Sequence, residues 1–183
     1  MTSPMTSPMT SPMTSPPKVL LVGLGAMGSG MYATLSKSND FDVIGYDIYK
    51  PCMDRIAEDD PRQSKIKCLL DVNEAFGGPP DVVILMVVNA AQIHSLLFPS
   101  YISTLPPTTT LLLMSTISPS SCLSISSLSA KHGLNGGPTV LDAPVSGGPS
   151  RASNGTLSIM SSYYPPHPPL PFKSVLSALS TSG

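Results

Sequence analysis

The sequence has few charges and few cysteines, and both shortages argue against whole classes of protein. Only 11% of its 183 residues are charged, and the formal net charge is −1. With Lys and Arg scattered, this balance argues against nucleic acid or an anionic membrane as the main partner. The three cysteines, Cys52, Cys68 and Cys122, include no CxxC pair, so we expect reduced thiols in an intracellular protein. The histidines stand at no metal-ligand spacing, and no metal site is predicted.

Long apolar runs and targeting signals are also missing. No apolar run reaches the roughly 18 residues that a bilayer-spanning helix needs. Residues 1–17 are four copies of Met-Thr-Ser-Pro followed by Pro17. They carry no charge and no apolar core, so we expect a disordered leader rather than a secretory signal. The first arginine is Arg55, which argues against an Arg-rich transit peptide. We expect a cytoplasmic protein, with a mitochondrial location left open.

Strand-like and helix-like segments alternate between Lys18 and Met160. This pattern predicts an α/β fold, a Rossmann-type doubly wound parallel sheet with helices on both faces. The length suits one domain with a core that is stable without disulfides. The strands are expected at the run beginning with Lys18 and at 42–47, 65–69, 81–88, 109–115, 139–142 and 156–160. The helices are expected at 27–38, 51–58, 72–76, 89–98 and 118–131, the last with Ser118 as N-cap.

The sequence changes character after Met160. Residues 163–171 are rich in proline and are expected to be extended, because proline lacks an N–H donor and has a fixed φ. They are either a loop or a PxxP ligand for a partner domain. Residues 172–180 are expected to form one or two amphipathic turns. The chain is therefore divided into a leader (1–17), a dinucleotide-binding domain (18–160) and a proline-rich segment with a short helix (161–183).

The most informative motif is Gly23-x-Gly25-x-x-Gly28, directly after the first predicted strand. Between a strand and a helix, the first glycine permits a tight turn and the second lets phosphates approach the backbone. The third lets the helix pack closely on the strand. The start of the helix adds unpaired N–H groups and a partial positive charge. The motif predicts a site for a dinucleotide diphosphate, with Ala26 and Met27 in the same turn.

The second predicted strand ends in Asp47. This acid follows Gly28 by about 20 residues, the spacing of a carboxylate that accepts hydrogen bonds from ribose hydroxyls. The alternative is an ordinary turn residue at a strand end. In the functional interpretation the carboxylate repels a 2′-phosphate, which favours NAD as the cofactor. Lys50 is near enough in sequence to leave NADP open.

Polar residues follow the later strands too, at Val88-Asn89, at Ser115-Thr116 and in the segment 142–148. In an open parallel sheet the ligand lies at the carboxyl ends of the strands, so these ends together predict a cofactor groove. Ser146-Gly147-Gly148 offers a hydroxyl and exposed amides, which suit the carboxylate or hydroxyl of a small acid. A plain glycine-rich turn is the alternative for that segment.

Three blocks of the sequence resemble the N-terminal part of the β-hydroxyacid dehydrogenases, a family that includes 3-hydroxyisobutyrate, tartronate semialdehyde and L-threonate dehydrogenases. The blocks are GLGAMGSGM (23–31), DVVILMVVNAAQ (81–92) with STISP (115–119), and DAPVSGGPSRASNGTLSIM (142–160). The resemblance covers about 18–160 and extends to the NADP-binding domain of 6-phosphogluconate dehydrogenase. It implies that the glycine loop holds the dinucleotide phosphates and that Val88-Asn89 lines the cofactor. It also implies that Thr116 lies near the nicotinamide ribose, and that Ser146, Gly147 and Gly148 hold the substrate.

The resemblance also exposes a departure. The family's proton-transferring lysine stands in a GxGxxxKxxN-like motif that this sequence lacks, and Lys173 has neither those glycines nor the asparagine. We expect the family's all-helical C-terminal domain to be absent as well. We therefore expect NAD or NADP binding, hydride chemistry on a small β-hydroxy acid by resemblance, and little or no activity of this chain alone. An apolar face normally covered by helices predicts homo-oligomers. The alternatives are a non-catalytic dinucleotide-binding module and an interaction protein with an incidental glycine loop.

Overall fold

A parallel sheet forms the centre of the molecule. The computed structural model describes residues 15–161 and 170–180; the predictions for most of the leader and of the proline-rich stretch lie outside them. Within these ranges the sheet has five strands in the order β2-β1-β3-β4-β5. The strands are β1 (Lys18–Val22), β2 (Asp42–Tyr46), β3 (Val82–Leu85), β4 (Thr110–Leu113) and β5 (Thr139–Asp142). This architecture confirms the predicted Rossmann-type fold.

Helices connect the strands, as the sequence pattern predicts. They are α1 (Ala26–Lys37), α2 (Lys50–Ala57), α3 (Leu69–Phe76), α4 (Ala90–Leu97), α5 (Pro119–His132), α6 (Gly148–Ser153) and α7 (Leu170–Leu179). A separate two-stranded antiparallel sheet pairs β6 (Val145–Ser146) with β7 (Ser158–Ile159). Single 3₁₀ turns occupy Gln63–Lys65, Ile102–Thr104 and Leu134–Gly136. In the described part of the chain, no helix is both long and apolar enough to cross a membrane.

The register of the sheet aligns the carboxyl ends of its strands. Val22 at the end of β1 lies between Tyr46 of β2 and Leu85 of β3. Leu85 in turn pairs with Leu113 of β4, and Leu113 pairs with Asp142 of β5. The strands β3 and β4 are buried along their whole length, because helices cover both faces of a doubly wound sheet. The loops that follow the five strands therefore leave the sheet along one edge.

The strand predicted at 65–69 does not form. The carboxylate of Asp71 accepts hydrogen bonds from the N–H groups of Lys67 (2.7 Å) and Cys68 (2.8 Å), so both amides serve the start of α3. The backbone N–H and C=O groups at the outer edge of β2 bind a side chain instead of a neighbouring strand. The amide of the buried Gln63 faces Gly45, with Nε2 2.9 Å from the carbonyl oxygen and Oε1 3.2 Å from the nitrogen. The side chain of one glutamine thus takes the place of an edge strand. The hydrophobic periodicity of the sequence does not reveal such a contact.

The helix α7 is longer than the one or two turns predicted. Its residues Phe172, Val175 and Leu179 are buried in the hydrophobic core with the sheet residues. The N–H of Leu157 donates to the carbonyl of Leu179 at 3.0 Å. The apolar spacing i, i+3, i+7 therefore faces the core, as expected of an amphipathic helix.

Candidate functional site

The turn between β1 and α1 admits only glycine at two of its positions. Gly23 has φ +96°, and a Cβ there would overlap the carbonyl of Met86. Its N–H donates to the carbonyl of Tyr46 at 2.8 Å, which ties the turn to β2. A Cβ on Gly28 would overlap the carbonyl of Gly23. These two glycines hold the start of α1 against the sheet, as the motif predicts.

Gly25 differs from its neighbours because its backbone is ordinary. Its φ is −65°, which any residue adopts, and no atom lies within 4 Å of the position that a Cβ would take. Gly25 is the N-cap of α1 without a capping side chain, and the helix's first bond runs from the N–H of Ser29 to Gly25 at 2.9 Å. Among the described residues, no acceptor meets the amides of Ala26 and Met27. The turn therefore presents free N–H donors to open space.

A cleft of about 900 Å³ lies over this turn, at the carboxyl edge of the sheet. Its volume is within the range of ligand pockets in proteins. Most of the residues predicted from the sequence to hold a cofactor line it, namely Gly23, Gly25, Ala26, Met27, Gly28, Asp47, Val88 and Asn89. Free amides on one side and a carboxylate on the other fit a diphosphate and a hydroxyl-bearing sugar in chemistry.

Asp47 is both a turn residue and part of the cleft. Its Oδ2 accepts from the N–H of Leu24 at 2.7 Å, and its Oδ1 accepts from the N–H of Tyr49 at 2.8 Å. The carboxylate thereby fixes the glycine turn to the end of β2. Each carboxylate oxygen keeps one further lone pair, so hydroxyl donors can still bind. The exposed Lys50 forms an ion pair with Asp54, with Nζ 2.6 Å from Oδ1.

The wall beyond β3 is supported by residues to which the sequence analysis gave no such role. The Oγ of Ser115, which is 1% exposed, accepts from the N–H of Val87 at 2.9 Å and donates to the carbonyl of Leu85 at 3.2 Å. Asn89 caps α4 by accepting from the N–H of Gln92 at 3.0 Å. The side chain of Gln92 accepts from Val88 at 2.9 Å. A Gln three residues after an N-cap is the signal of a capping box and would have identified this pair.

Three apolar side chains stand at the rim of the cleft. Ile48, Tyr49 and Val88 are 72%, 64% and 80% exposed, and all three line the cleft. Exposed apolar residues are ordinary when scattered, but a group around one concavity marks a binding surface. Ile48 and Tyr49 are not among the residues predicted from the sequence, and their place directly after Asp47 is the signal that identifies them.

The remaining predicted residues do not line the cleft. Thr116 is exposed and follows the buried Ser115 beyond the end of β4. Ser146 pairs with Ser158 in the two-stranded sheet, and Gly147 and Gly148, with φ +142° and +73°, lead into α6. Thr116 and the loop Ser146–Gly148 are therefore not among the residues that line this cleft.

Two titratable groups lie at the carboxyl edge of the sheet, near β5. Burial raises the pKa of the Asp142 carboxyl. Burial and the neighbouring Asp142 together raise the pKa of the Cys122 thiol. Within the residues described, no three His, Cys, Asp or Glu side chains come together as a metal-binding group. The groups at this edge are therefore backbone amides, the partly exposed carboxylates of Asp47 and Asp142, and apolar surface.

Comparison with known proteins agrees with this geometry. A family model described as the NAD binding domain of 6-phosphogluconate dehydrogenase matches residues 18–165. L-threonate dehydrogenase of Pectobacterium atrosepticum is 33% identical over 146 residues, which are 79% of this chain and 45% of that enzyme. 2-(Hydroxymethyl)glutarate dehydrogenase of Eubacterium barkeri is 29% identical over 145 residues, or 78% of this chain and 44% of that enzyme.

The solved structures give the same result. 3-Hydroxyisobutyrate dehydrogenase of Mycobacterium tuberculosis, solved with L-serine, superimposes with a TM-score of 0.71 at 25% identity. The match covers 90% of this chain and 52% of that one. The chain thus spans about half the length of the relatives it matches. These matches confirm the resemblance drawn from the three sequence blocks.

Proposed function

This chain belongs to the family of the NAD binding domain of 6-phosphogluconate dehydrogenase, and we propose that it binds NAD as the coenzyme domain of a dehydrogenase for small β-hydroxy acids. One observation carries the proposal: free amides at the start of α1 and the carboxylate of Asp47 line the same cleft. A helix N-terminus with unpaired N–H groups favours an anion, and the carboxylate favours hydroxyl donors.

The proposal assigns each part of the dinucleotide to residues of this cleft. The diphosphate binds the amides of Ala26 and Met27, next to the open space at Gly25. Asp47 accepts hydrogen bonds from the adenosine ribose. The exposed side chains of Ile48 and Tyr49 offer apolar surface to the adenine. NAD is favoured over NADP because a 2′-phosphate would lie beside this carboxylate, while the ammonium of Lys50 is already paired with Asp54.

The substrate side of the proposal rests on Ser146, Gly147 and Gly148. Their hydroxyl and amides suit the carboxylate and hydroxyl of a small acid, and Thr116 is proposed to lie near the nicotinamide ribose. Relatives are named for L-threonate, 2-(hydroxymethyl)glutarate and 3-hydroxyisobutyrate. We therefore propose a small β-hydroxy acid as the substrate class of the dehydrogenase.

The proposed reaction needs a base that these 183 residues do not supply in the family's motif. When bound, the nicotinamide supplies hydride transfer, and a positioned base typically contributes about 10²–10⁴-fold to the rate of such a reaction. We propose that this chain alone binds the coenzyme and turns over little or no substrate. A non-catalytic dinucleotide-binding module is the second candidate, and it differs from the first only in lacking turnover.

Calorimetric titration of the chain with NAD and with NADP tests the coenzyme proposal. We expect saturable binding of NAD, weaker binding of NADP, and loss of both in a Gly25→Val variant. The proposal would be refuted if the chain bound neither NAD nor NADP.

A spectrophotometric assay of NADH formation tests the proposal that this chain alone turns over little or no substrate. L-threonate and 3-hydroxyisobutyrate are suitable substrates, because relatives are named for them. We expect no turnover above background with the chain alone. Turnover at the rate of an ordinary dehydrogenase, on the order of 1–10³ per second, would show that another group acts as the base.

A further inference from the structure

The loop Ser146–Gly148 leads into α6, a helix that is too short to be stable without its neighbours. All six residues of α6 are described, and Ala152 is the one whose side chain is buried. A helix this short is unstable in isolation, and one apolar side chain adds little. The position of α6, and of the loop before it, must therefore be set by what the helix packs against.

That partner is α1, the helix whose first turn borders the cleft. Gly30 of α1 is buried, and a Cβ on it would lie 2.7 Å from the Oγ of Ser153 and 2.9 Å from its nitrogen. The hydroxyl of Thr34 donates to the carbonyl of Ala152 at 2.8 Å, joining residues 118 positions apart. Gly30 and Thr34 of α1 thus pack against Ala152 and Ser153 of α6.

The turn after α6 is held by the same helix. A Cβ on Gly155 would lie 3.1 Å from the Cγ2 of Thr34 and 2.7 Å from the carbonyl of Ala178 in α7. Arg151 closes the turn by donating from Nε to the carbonyl of Thr156 at 2.6 Å. Thr34 therefore touches both the last turn of α6 and the turn that follows it.

We infer that Thr34 and Gly30 are positioning residues that set the place of the loop Ser146–Gly148 relative to the glycine turn at the start of α1. At about 1.5 Å per residue, Gly30 lies roughly 6 Å along the helix axis from Ala26, and Ala152 lies roughly 6 Å from Gly148. One contact, about a helical turn from each loop, thus links the glycine turn to the loop Ser146–Gly148. The inference rests on the proposed function, which assigns the coenzyme to one loop and the acid to the other.

The test separates the two ligands on the full 183-residue chain. Thr34→Val removes the hydroxyl and keeps the Cγ2 methyl, and Thr34→Ser keeps the hydroxyl. NAD binding is measured by calorimetry. Acid binding is measured by adding L-threonate or 3-hydroxyisobutyrate to the NAD-loaded protein and following the amide NMR signals of Gly147 and Gly148. Ser36→Ala, an exposed hydroxyl on the same helix, is the control.

We expect Thr34→Val to bind NAD within about twofold of the parent and to bind the acid roughly fivefold more weakly, as for the loss of one hydrogen bond. Thr34→Ser and Ser36→Ala should bind both ligands as the parent does. Gly30→Ala, which keeps the hydroxyl but pushes on Ser153, should show the same selective loss and tests the contact independently.

Two outcomes would overturn the inference alone. In the first, Thr34→Val and Gly30→Ala bind the acid as tightly as the parent. In the second, both variants lose affinity for NAD and for the acid in parallel, as expected if the contact only stabilises the fold. If the parent binds NAD but neither acid moves the two glycine signals, the substrate half of the proposed function fails together with this inference. If the parent binds no NAD, the proposed function fails as a whole.

Discussion

Replacing Gly25 with valine is expected to abolish NAD binding while leaving the fold intact. The backbone at Gly25, with φ −65° and ψ −165°, is extended and has the negative φ of ordinary residues. The position of its missing Cβ is open, with no atom within 4 Å. Loss of a glycine N-cap costs about 1 kcal/mol. For a chain of this size that lowers the melting temperature by roughly 2–4 °C.

The effect on binding should be much larger. The valine side chain would stand where the diphosphate must come to reach the amides of Ala26 and Met27. Hydrogen bonds to a charged group contribute about 1.5–3 kcal/mol each. Loss of two such bonds totals at least about 3 kcal/mol, which is at least a 100-fold weaker affinity.

Gly28→Ala is the matched contrast in the same turn. Its Cβ would overlap the carbonyl of Gly23, so the backbone itself must move, at a cost of about 3 kcal/mol. We expect its melting temperature to fall by roughly 6–12 °C. Thermal denaturation followed by circular dichroism and calorimetric titration with NAD measure both variants. A folded Gly25→Val protein with NAD affinity within about fivefold of the parent would refute the placement of the diphosphate on this turn.

Three further outcomes are expected. Asp47→Asn should narrow the preference for NAD over NADP by at least about tenfold, since a neutral amide does not repel a 2′-phosphate; an unchanged ratio of the two calorimetric affinities contradicts this. Ser115→Ala should lower the free energy of unfolding in urea by about 1–3 kcal/mol, because the N–H of Val87 loses its acceptor, and a change under about 0.5 kcal/mol would argue against it. Backbone hydrogen bonds from Cys68 and Lys67 hold the pKa of Asp71 below its usual value. Its stabilising contribution is therefore present above about pH 4 and is lost as the pH falls through the folded pKa. Asp71→Ala should accordingly lower the melting temperature more at neutral pH than at about pH 3, and equal losses at both would show that the charge is irrelevant.

The sheet and the glycine turn could be predicted because their signals are local. The buried runs 82–85 and 111–114 are uninterrupted and apolar, and the glycines stand at fixed offsets from the first of the strands. The caps Asn89 and Ser118 act on amides within three residues of themselves. Since the carboxyl ends of parallel strands share one edge, strand order alone sufficed to bring Asp47 and Val88 to the glycine turn.

The supports of the site depend on contacts that leave no local signal. Ser115 holds Val87 across 28 residues. Gln63 replaces the strand predicted at 65–69 by binding the edge residue Gly45. A side chain that satisfies a distant backbone group does not change the periodicity of its own segment, so the pattern at these positions predicts nothing about their partners.

The loop Ser146–Gly148, which does not line the cleft, is the clearest case. From the residues alone, Ser146–Gly148 belonged to the same groove as the glycine turn, because both follow strands of one sheet. In the folded chain that loop leads into α6, and α6 rests on Gly30 and Thr34 of α1. Local sequence was enough for the fold class, the turn and the acid at the end of β2, since backbone conformation there follows from neighbouring residues. How far apart the two loops lie depends on a contact between residues 118 positions apart, and only packing in three dimensions decides it.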